Sequence, residues 1–314
     1  MRRSLTRREL AAVAATAAFG RRDTSASAGA VRVGVTPVGA TRVEPDEARR
    51  AVAAAISAAT GDDAIRSLAR LLSPGDTVGI KLSCLAGRPL SPRPEIVAAL
   101  VELVAAGGVA RDKIIVFERS SRELERAGFE VRRRGGPFLC YGVDGDWDRQ
   151  VTVSGEIGSC YARLVSTTCT ALISVAVVKD HDLAGISGAL KNFYGVIHNP
   201  NKYHDDGCDP YVADVVRHPF VASKLRLSLL DVGIAQCHGG PAFRADTCFE
   251  LGRIAASTDP VGLDVWAWRA IEAERARRGL ESLQEAGRAP RHLATAAARG
   301  LGTVEPETVE KETA

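Results

Sequence analysis

The sequence predicts an α/β fold, with a mostly parallel sheet covered by helices on both faces and an inserted β-hairpin or edge element around residues 134–162. Three observations predict it. Short apolar segments without polar alternation, such as "TVGIKLS", "KIIVFER" and "TALISVAVVK", read as strands buried on both sides. Segments with helical spacing and clear end signals separate them. The stretch from Arg134 to Ala162 breaks that rhythm with Gly135-Gly136-Pro137, Asp144-Gly145-Asp146 and the alternating "RQVTVSG".

Each element follows from local chemistry. Val31 to Val35 is a first strand, and the alanine-rich Glu44 to Ala59 is a helix stopped by Gly61. Ile65 to Leu72 is a short helix closed by Ser73-Pro74-Gly75-Asp76, and Thr77 to Ser83 is a strand. After a loop with Pro89 and Pro92, a helix opens at Pro94 with Glu95 in its first turn and ends at Gly107-Gly108. Lys113 to Arg119 is the next strand, and "RELERAGFE" is a short helix ending at Gly128. Thr170 to Lys179 carries the strongest strand pattern. Leu225 to Ile234 is another strand, leading to a loop with Gly239-Gly240-Pro241. In the segment from Leu251 to Gly279 a short strand precedes a helix with Asp259 as N-cap, Pro260 at the first helical position and Gly279 at its close. Arg291 to Arg299 is a last helix, and the acidic tail 304–314 is expected to fray. One domain, 31–303, is therefore expected.

Composition narrows the function classes. Of 314 residues, 46% are hydrophobic and 25% charged, enough for a substantial core. The net charge of +3 selects no polyanionic partner. The run Arg132-Arg133-Arg134 lacks stacking aromatics beside it, so nucleic acid is not an expected partner. No apolar run approaches the roughly 20 residues a membrane helix needs. Residues 1–28 read as an export signal. Thr6-Arg7-Arg8-Glu9-Leu10 resembles a twin-arginine motif, a weakly apolar stretch runs from Ala11 to Phe19, and Ala26-Ser27-Ala28 is a small-x-small cleavage site. The expectation is transport by the twin-arginine translocation machinery to the periplasm or the exterior.

Chemistry-bearing residues concentrate between positions 177 and 240. Ligands of open α/β sheets bind beyond the carboxyl ends of the strands. Lys81, Lys179, His181, Asp231 and His238 all fall at or near such ends. A Lys and a His two apart on a strand share a face, so Lys179 can hold negative charge while His181 moves a proton. His198 or His238 is a second candidate proton carrier or metal ligand. "GISGALKNFYG", Gly185 to Gly195, reads as a short helix whose first amides, with Lys191 and Asn192, suit an anion. His198, His204 and Cys208 have the side-chain types of a transition-metal site, although their spacing matches no compact zinc signature. Cys208 could instead pair with Cys237 in an oxidising compartment. The seven cysteines contain no C-x-x-C, so a ferredoxin-type iron–sulfur run and a zinc ribbon are both absent. P-loop, G-x-S-x-G and G-x-G-x-x-G motifs are absent too, which disfavours nucleotide hydrolysis, serine hydrolysis and ordinary nicotinamide chemistry.

Four segments together resemble the family called domain of unknown function 362: "TVGIKLSCLAGRPLSPRPEIVAALVELVAAGG", "LISVAVVKDHDLAGISGALKNFYGVIH", "LSLLDVGIAQCHGGP" and "AASTDPVGLDVWAWRAI". The resemblance implies that Lys179, His181, Lys191 and Asn192 matter. Proteins of this kind are often exported or joined to an iron–sulfur module, which suggests redox chemistry. This chain lacks the module's cysteines, and it has Ser83-Cys84 where the family usually carries an asparagine. The expected function is an exported enzyme acting on a small anionic molecule. A non-enzymatic periplasmic metal- or cofactor-binding protein is the alternative.

Overall fold

The computed structural model describes residues 30–313. The signal read at 1–28 lies outside the described residues. The chain opens with β1 (Arg32–Pro37), α1 (Pro45–Thr60), α2 (Ala64–Leu71), β2 (Val78–Leu82), α3 (Pro94–Ala106), β3 (Ile114–Glu118), α4 (Ser121–Ala127) and β4 (Leu139–Gly142). A hairpin of β5 (Thr152–Ser154) and β6 (Ile157–Ser159) follows, then β7 (Ala171–Ala176), β8 (Lys179–His181) and β9 (Gly185–Ser187). The last part comprises α5 (Tyr211–Arg217), α6 (Pro219–Ala222), β10 (Leu225–Gln236), β11 (Cys248–Ser257), α7 (Pro260–Arg277), α8 (His292–Ala298) and β12 (Glu307–Glu310).

A ten-stranded sheet has the order β12-β1-β11-β10-β7-β2-β3-β4, with β8 and β9 extending from β10. The run β10-β7-β2-β3-β4 is parallel throughout. β11 is antiparallel to both β10 and β1. The fold is thus α/β with a mixed, mostly parallel sheet, and the hairpin expected within 134–162 forms a small separate sheet. β4, in the same interval, closes the edge of the main sheet.

Strand residues alternate between two cores because successive side chains point to opposite faces. Val78, Ile80, Leu82, Ile114, Val116, Leu227 and Leu229 pack with α1, α2, α3 and α4. Ile115, Phe117, Leu172, Leu230 and Val232 pack with α5, α7 and α8. Three helices have the expected end chemistry: Gly61 ends α1 at φ 75°, Gly128 ends α4 at φ 94°, and the Asp259 carboxylate caps α7 by accepting from Gly262 N at 2.8 Å.

Three expectations fail, each for a local reason. The tail does not fray across 307–310: β12 pairs parallel with β1, and Glu307 N and Lys311 N donate to Val31 O and Val35 O, each at 2.8 Å. Its exposed, charged sequence is what an edge strand tolerates, and it resembles a solvated tail in composition. Gly185 to Gly195 is not one helix. Its first three residues form β9 antiparallel to β8, and a tight 3₁₀ stretch runs from Lys191 to Val196. β10 continues to Gln236, so Asp231 lies inside a strand rather than at its end.

The alanines of α1 allow a close approach to β1. A Cβ on Gly34 would stand 2.2 Å from Ala55 O and 2.4 Å from Ala59 N, both backbone atoms that cannot swing aside. Gly34→Ala is therefore expected to lower unfolding stability by about 2–3 kcal/mol in urea titration, at the upper end of ordinary overpacking costs. A stability within ~0.5 kcal/mol of wild type would show that α1 can lift away at little cost.

Candidate functional site

The candidate site is a cavity of about 410 Å³ beyond the carboxyl ends of β2, β3 and β7, lined among others by Lys81, Glu118, Lys179, His181, Lys191 and His204. The alternation of strands decides who reaches it. Ile80 and Leu82 enter the core beneath α3, so Lys81 points to the other face. There its ammonium meets Glu118 in a buried ion pair and donates to Leu82 O at 2.5 Å and to Asn192 Oδ1 at 3.2 Å. Asn192 Nδ2 lies 2.9 Å from Lys81 O and 3.0 Å from Ser174 Oγ. Lys81 and Asn192, read from the sequence as substrate contacts, are thus mainly bonded to each other and to the frame.

Lys179 differs sharply. It is 2% exposed and its Nζ has no hydrogen-bond partner. Burial pushes its ammonium down to about 8, against the pull of Glu118. Lys191, at 8% exposure, lies 4.3 Å from the Tyr194 ring centroid and 3.2 Å from His204 Nε2. Burial brings it also to about 8, and Lys179 adds to the lowering. Among the described residues neither lysine has an ion-pair partner.

His181 and Lys179 share a face of β8, and Asp180 between them points away. Asp180 is fully buried and accepts from Arg288 Nη1 at 2.9 Å and from Gly240 N at 3.0 Å. Arg275 Nη1 stands 3.8 Å from it. His181 Nδ1 accepts from Leu183 N at 3.2 Å and Ala184 N at 3.3 Å, which leaves Nε2 to carry the ring hydrogen. Asp182 Oδ1 is 3.1 Å from the same Nδ1, but burial and then Lys191 hold this imidazole down to about 2, so it is neutral and the contact is no ion pair. The His181 and His204 rings stack with centroids 5.6 Å apart. In this state His181 is a hydrogen-bond donor, and the cavity-lining lysines Lys179 and Lys191 titrate near neutrality, while behind the Lys191 turn burial raises the Asp264 carboxyl to about 7.

Other sequence candidates lie elsewhere. Asp231 shares the α3 face with Leu229 and accepts from Arg93 N at 2.8 Å and Arg93 Nη2 at 2.6 Å. It lines a different cavity of about 780 Å³, whose buried carboxylate is already neutralised by Arg93. His238 is exposed and lines a third cavity with Asp180, Arg275 and Arg288. The proposed metal trio does not converge. His198 is exposed with its ring 5.7 Å from that of Trp147, His204 has both ring nitrogens engaged with Pro200 O and Lys191, and the buried Cys208 thiol faces His204 O at 4.0 Å. Among the described residues no three His, Cys, Asp or Glu side chains are grouped to hold a metal ion. All seven cysteines are free thiols, so the Cys208–Cys237 bridge is not formed.

The expected anion site at the start of the Lys191 turn is also filled from within. Ala189 N and Leu190 N donate to Asp264 of α7 at 2.6 and 2.9 Å. Gly188 is required there, since a Cβ would stand 2.2 Å from Asp264 Oδ1. Asp264 and Glu118 escaped the sequence reading. Glu118 had a visible signal, a carboxylate ending an apolar strand, whereas Asp264 sits in a helix with nothing to mark it. Glu123 lines the cavity as well, and burial, reinforced by Glu118, raises its carboxyl. His292, at the start of α8, is fully buried with neither ring nitrogen bonded among the described residues.

Comparison with known proteins places this geometry in context. The chain is similar over 76% of its length to the lactate racemase apoprotein from Thermoanaerobacterium thermosaccharolyticum, with 12% identity and a TM-score of 0.48, and covers 56% of that chain. A protein from Thermotoga maritima is similar over 82% of this chain and 60% of its own, with 9% identity and a TM-score of 0.36. Comparison with curated proteins gives no match. The family model described as "Domain of unknown function (DUF362)" matches residues 78–269, which include every strand and turn that builds the cavity. The chain belongs to the DUF362 family.

Proposed function

We propose that the cavity binds a small organic anion and that the protein is an enzyme acting on it through amine and imidazole chemistry. One observation carries this reading. Lys179 and Lys191 are both buried in the same cavity, and neither has a carboxylate partner. A buried ammonium without a counter-charge is unfavourable unless a ligand supplies one. The Nε2–H of His181 and the lysines supply a donor and two groups that exchange protons near neutrality. The redox reaction suggested by the family resemblance draws no support from these side chains, which are amines, imidazoles and carboxyl groups. The metal-binding alternative is not favoured by the scattered positions of His198, His204 and Cys208.

Isothermal titration with malonate and with its neutral analogue malonamide tests the reading. Malonate should bind and malonamide should not. Affinity should fall as pH rises through about 8, where both lysines lose their charge. Lys191→Met should weaken malonate about tenfold or more, the loss expected for a charge-assisted contact. Equal binding of the two compounds, or a flat pH profile, would sink the proposal.

The same lysines weaken the empty protein. The folded value of Lys179 lies below its ordinary 10.5, so the unfolded chain takes up this proton first as pH falls. The penalty is fully present below about 8 and fades as pH rises toward 10.5. Lys179→Met is therefore expected to stabilise the ligand-free protein at neutral pH, by up to about 3 kcal/mol, with the gain disappearing in strong base. Urea denaturation across that pH range measures it, and a destabilised variant at neutral pH would contradict it.

A further inference from the structure

We propose that Lys179 is an imine-forming amine and that the cavity takes a small oxo acid, with its carboxylate on Lys191 and its carbonyl carbon at Lys179 Nζ. The proposal rests on the anion-binding reading and adds a covalent step to it. Two lysines bordering the same cavity show the contrast that motivates it. Lys81 has its ammonium tied to Glu118, Leu82 O and Asn192, so its nitrogen is already engaged as a donor within the protein. Lys179 is 2% exposed, lines the cavity and has no hydrogen bond at all. An amine attacks a carbonyl only when it is unprotonated and free, and desolvation in an enclosed site favours that state. The titratable groups around Lys179 are Glu118, Glu123, the Cys84 thiol and Lys81, with Lys191 and His181 across the cavity, and burial outweighs the carboxylates among them. With the value at about 8, a usable fraction of neutral amine is present at neutral pH.

The neighbouring groups complete the arrangement. Lys191 offers the second positive charge that a carboxylate needs. The Nε2–H of His181 is the ring hydrogen left free once Nδ1 has accepted from Leu183 N and Ala184 N. It donates to the carbonyl oxygen and polarises it. The Lys179 nitrogen forms a bond to the carbonyl carbon as the C=O π pair moves to oxygen. The oxygen takes up two protons, one in effect from the attacking nitrogen and one from solvent, and leaves as water. A protonated imine between Lys179 and the oxo acid remains, with no oxidant or reductant consumed.

Trapping tests the step. The full chain is incubated with pyruvate and sodium cyanoborohydride, whose hydride reduces an imine to a stable secondary amine, and peptides are mapped by mass. One adduct is expected, on the peptide carrying Lys179, forming faster as pH rises toward 8 and slowed by malonate. Lys179→Arg keeps the positive charge without the nucleophile, so it should bind malonate and form no adduct. Malonate titration in parallel separates the two ideas. Wild-type protein that binds malonate yet gives no adduct at Lys179 removes the imine alone, and failure of both removes the anion reading beneath it. Adducts spread over many lysines and unchanged in Lys179→Arg would also overturn the assignment.

Discussion

The buried contact of Lys81, Glu118 and Asn192 is the constraint on which the rest of the site depends. Lys81 belongs to β2, Glu118 ends β3, and Asn192 sits in the turn after β9. The Asn192 amide also approaches Ser174 Oγ and Val175 O of β7. Three adjacent parallel strands and one turn are thereby held by a single polar cluster. A buried ion pair contributes little net stability but is costly to break, so it specifies one arrangement. Here that arrangement sets the turn beginning at Lys191 over the ends of the strands. Gly195 belongs to the same packing, because a Cβ there would stand 2.7 Å from Lys81 Nζ.

Around that cluster the molecule separates satisfied charges from unsatisfied ones. Lys81, Asp180, Asp231 and Asp264 are all buried and all bonded within the protein. Among the described residues Lys179 and Lys191 are buried lysines without a carboxylate in hydrogen-bond contact, Lys191 resting on His204 and the Tyr194 ring. The difference arises in the partners each group is given: Asp264 takes the amides that begin the Lys191 turn, and two arginines surround Asp180. Of the carboxyl groups on the cavity, Glu118 is committed to Lys81, and burial beside Glu118 raises the carboxyl of Glu123. A rigid shell of this kind keeps the cavity's charge in place before any ligand arrives, and the protein bears that electrostatic strain when empty.

Much of the fold was legible because burial on both faces leaves a plain pattern in the chain. "KIIVFER" and "TALISVAVVK" have no polar alternation, and β3 and β7 each have a paired strand on both sides. Asp259, Pro260 and Gly61 mark their helix ends by local hydrogen bonding and backbone geometry, which neighbouring residues alone determine. The cavity was half legible. Lys179, His181 and Lys191 do meet there, since a two-residue period and one turn were enough to bring them together. Asp231 was misplaced because β10 runs on past it, and its facing side is set by register with β7 and β11. The roles of Lys81 and His181 depended on partners over 30 residues away or on which ring nitrogen accepts, and neither leaves a mark in linear order. β12 was missed because an edge strand needs no apolar run to pair with its neighbour.

The three-residue strand β8 divides two environments. Its outer members turn toward the amine-rich cavity, and its middle member turns toward Arg275 and Arg288. Adding or deleting one residue here would exchange these sides, setting a carboxylate among the lysines and amines against the arginines. Replacing a side chain in this segment alters one contact, whereas altering its length would reverse the polarity of both compartments together. The spacing of Lys179, Asp180 and His181 thus governs both compartments at once, whereas each side chain governs only its own.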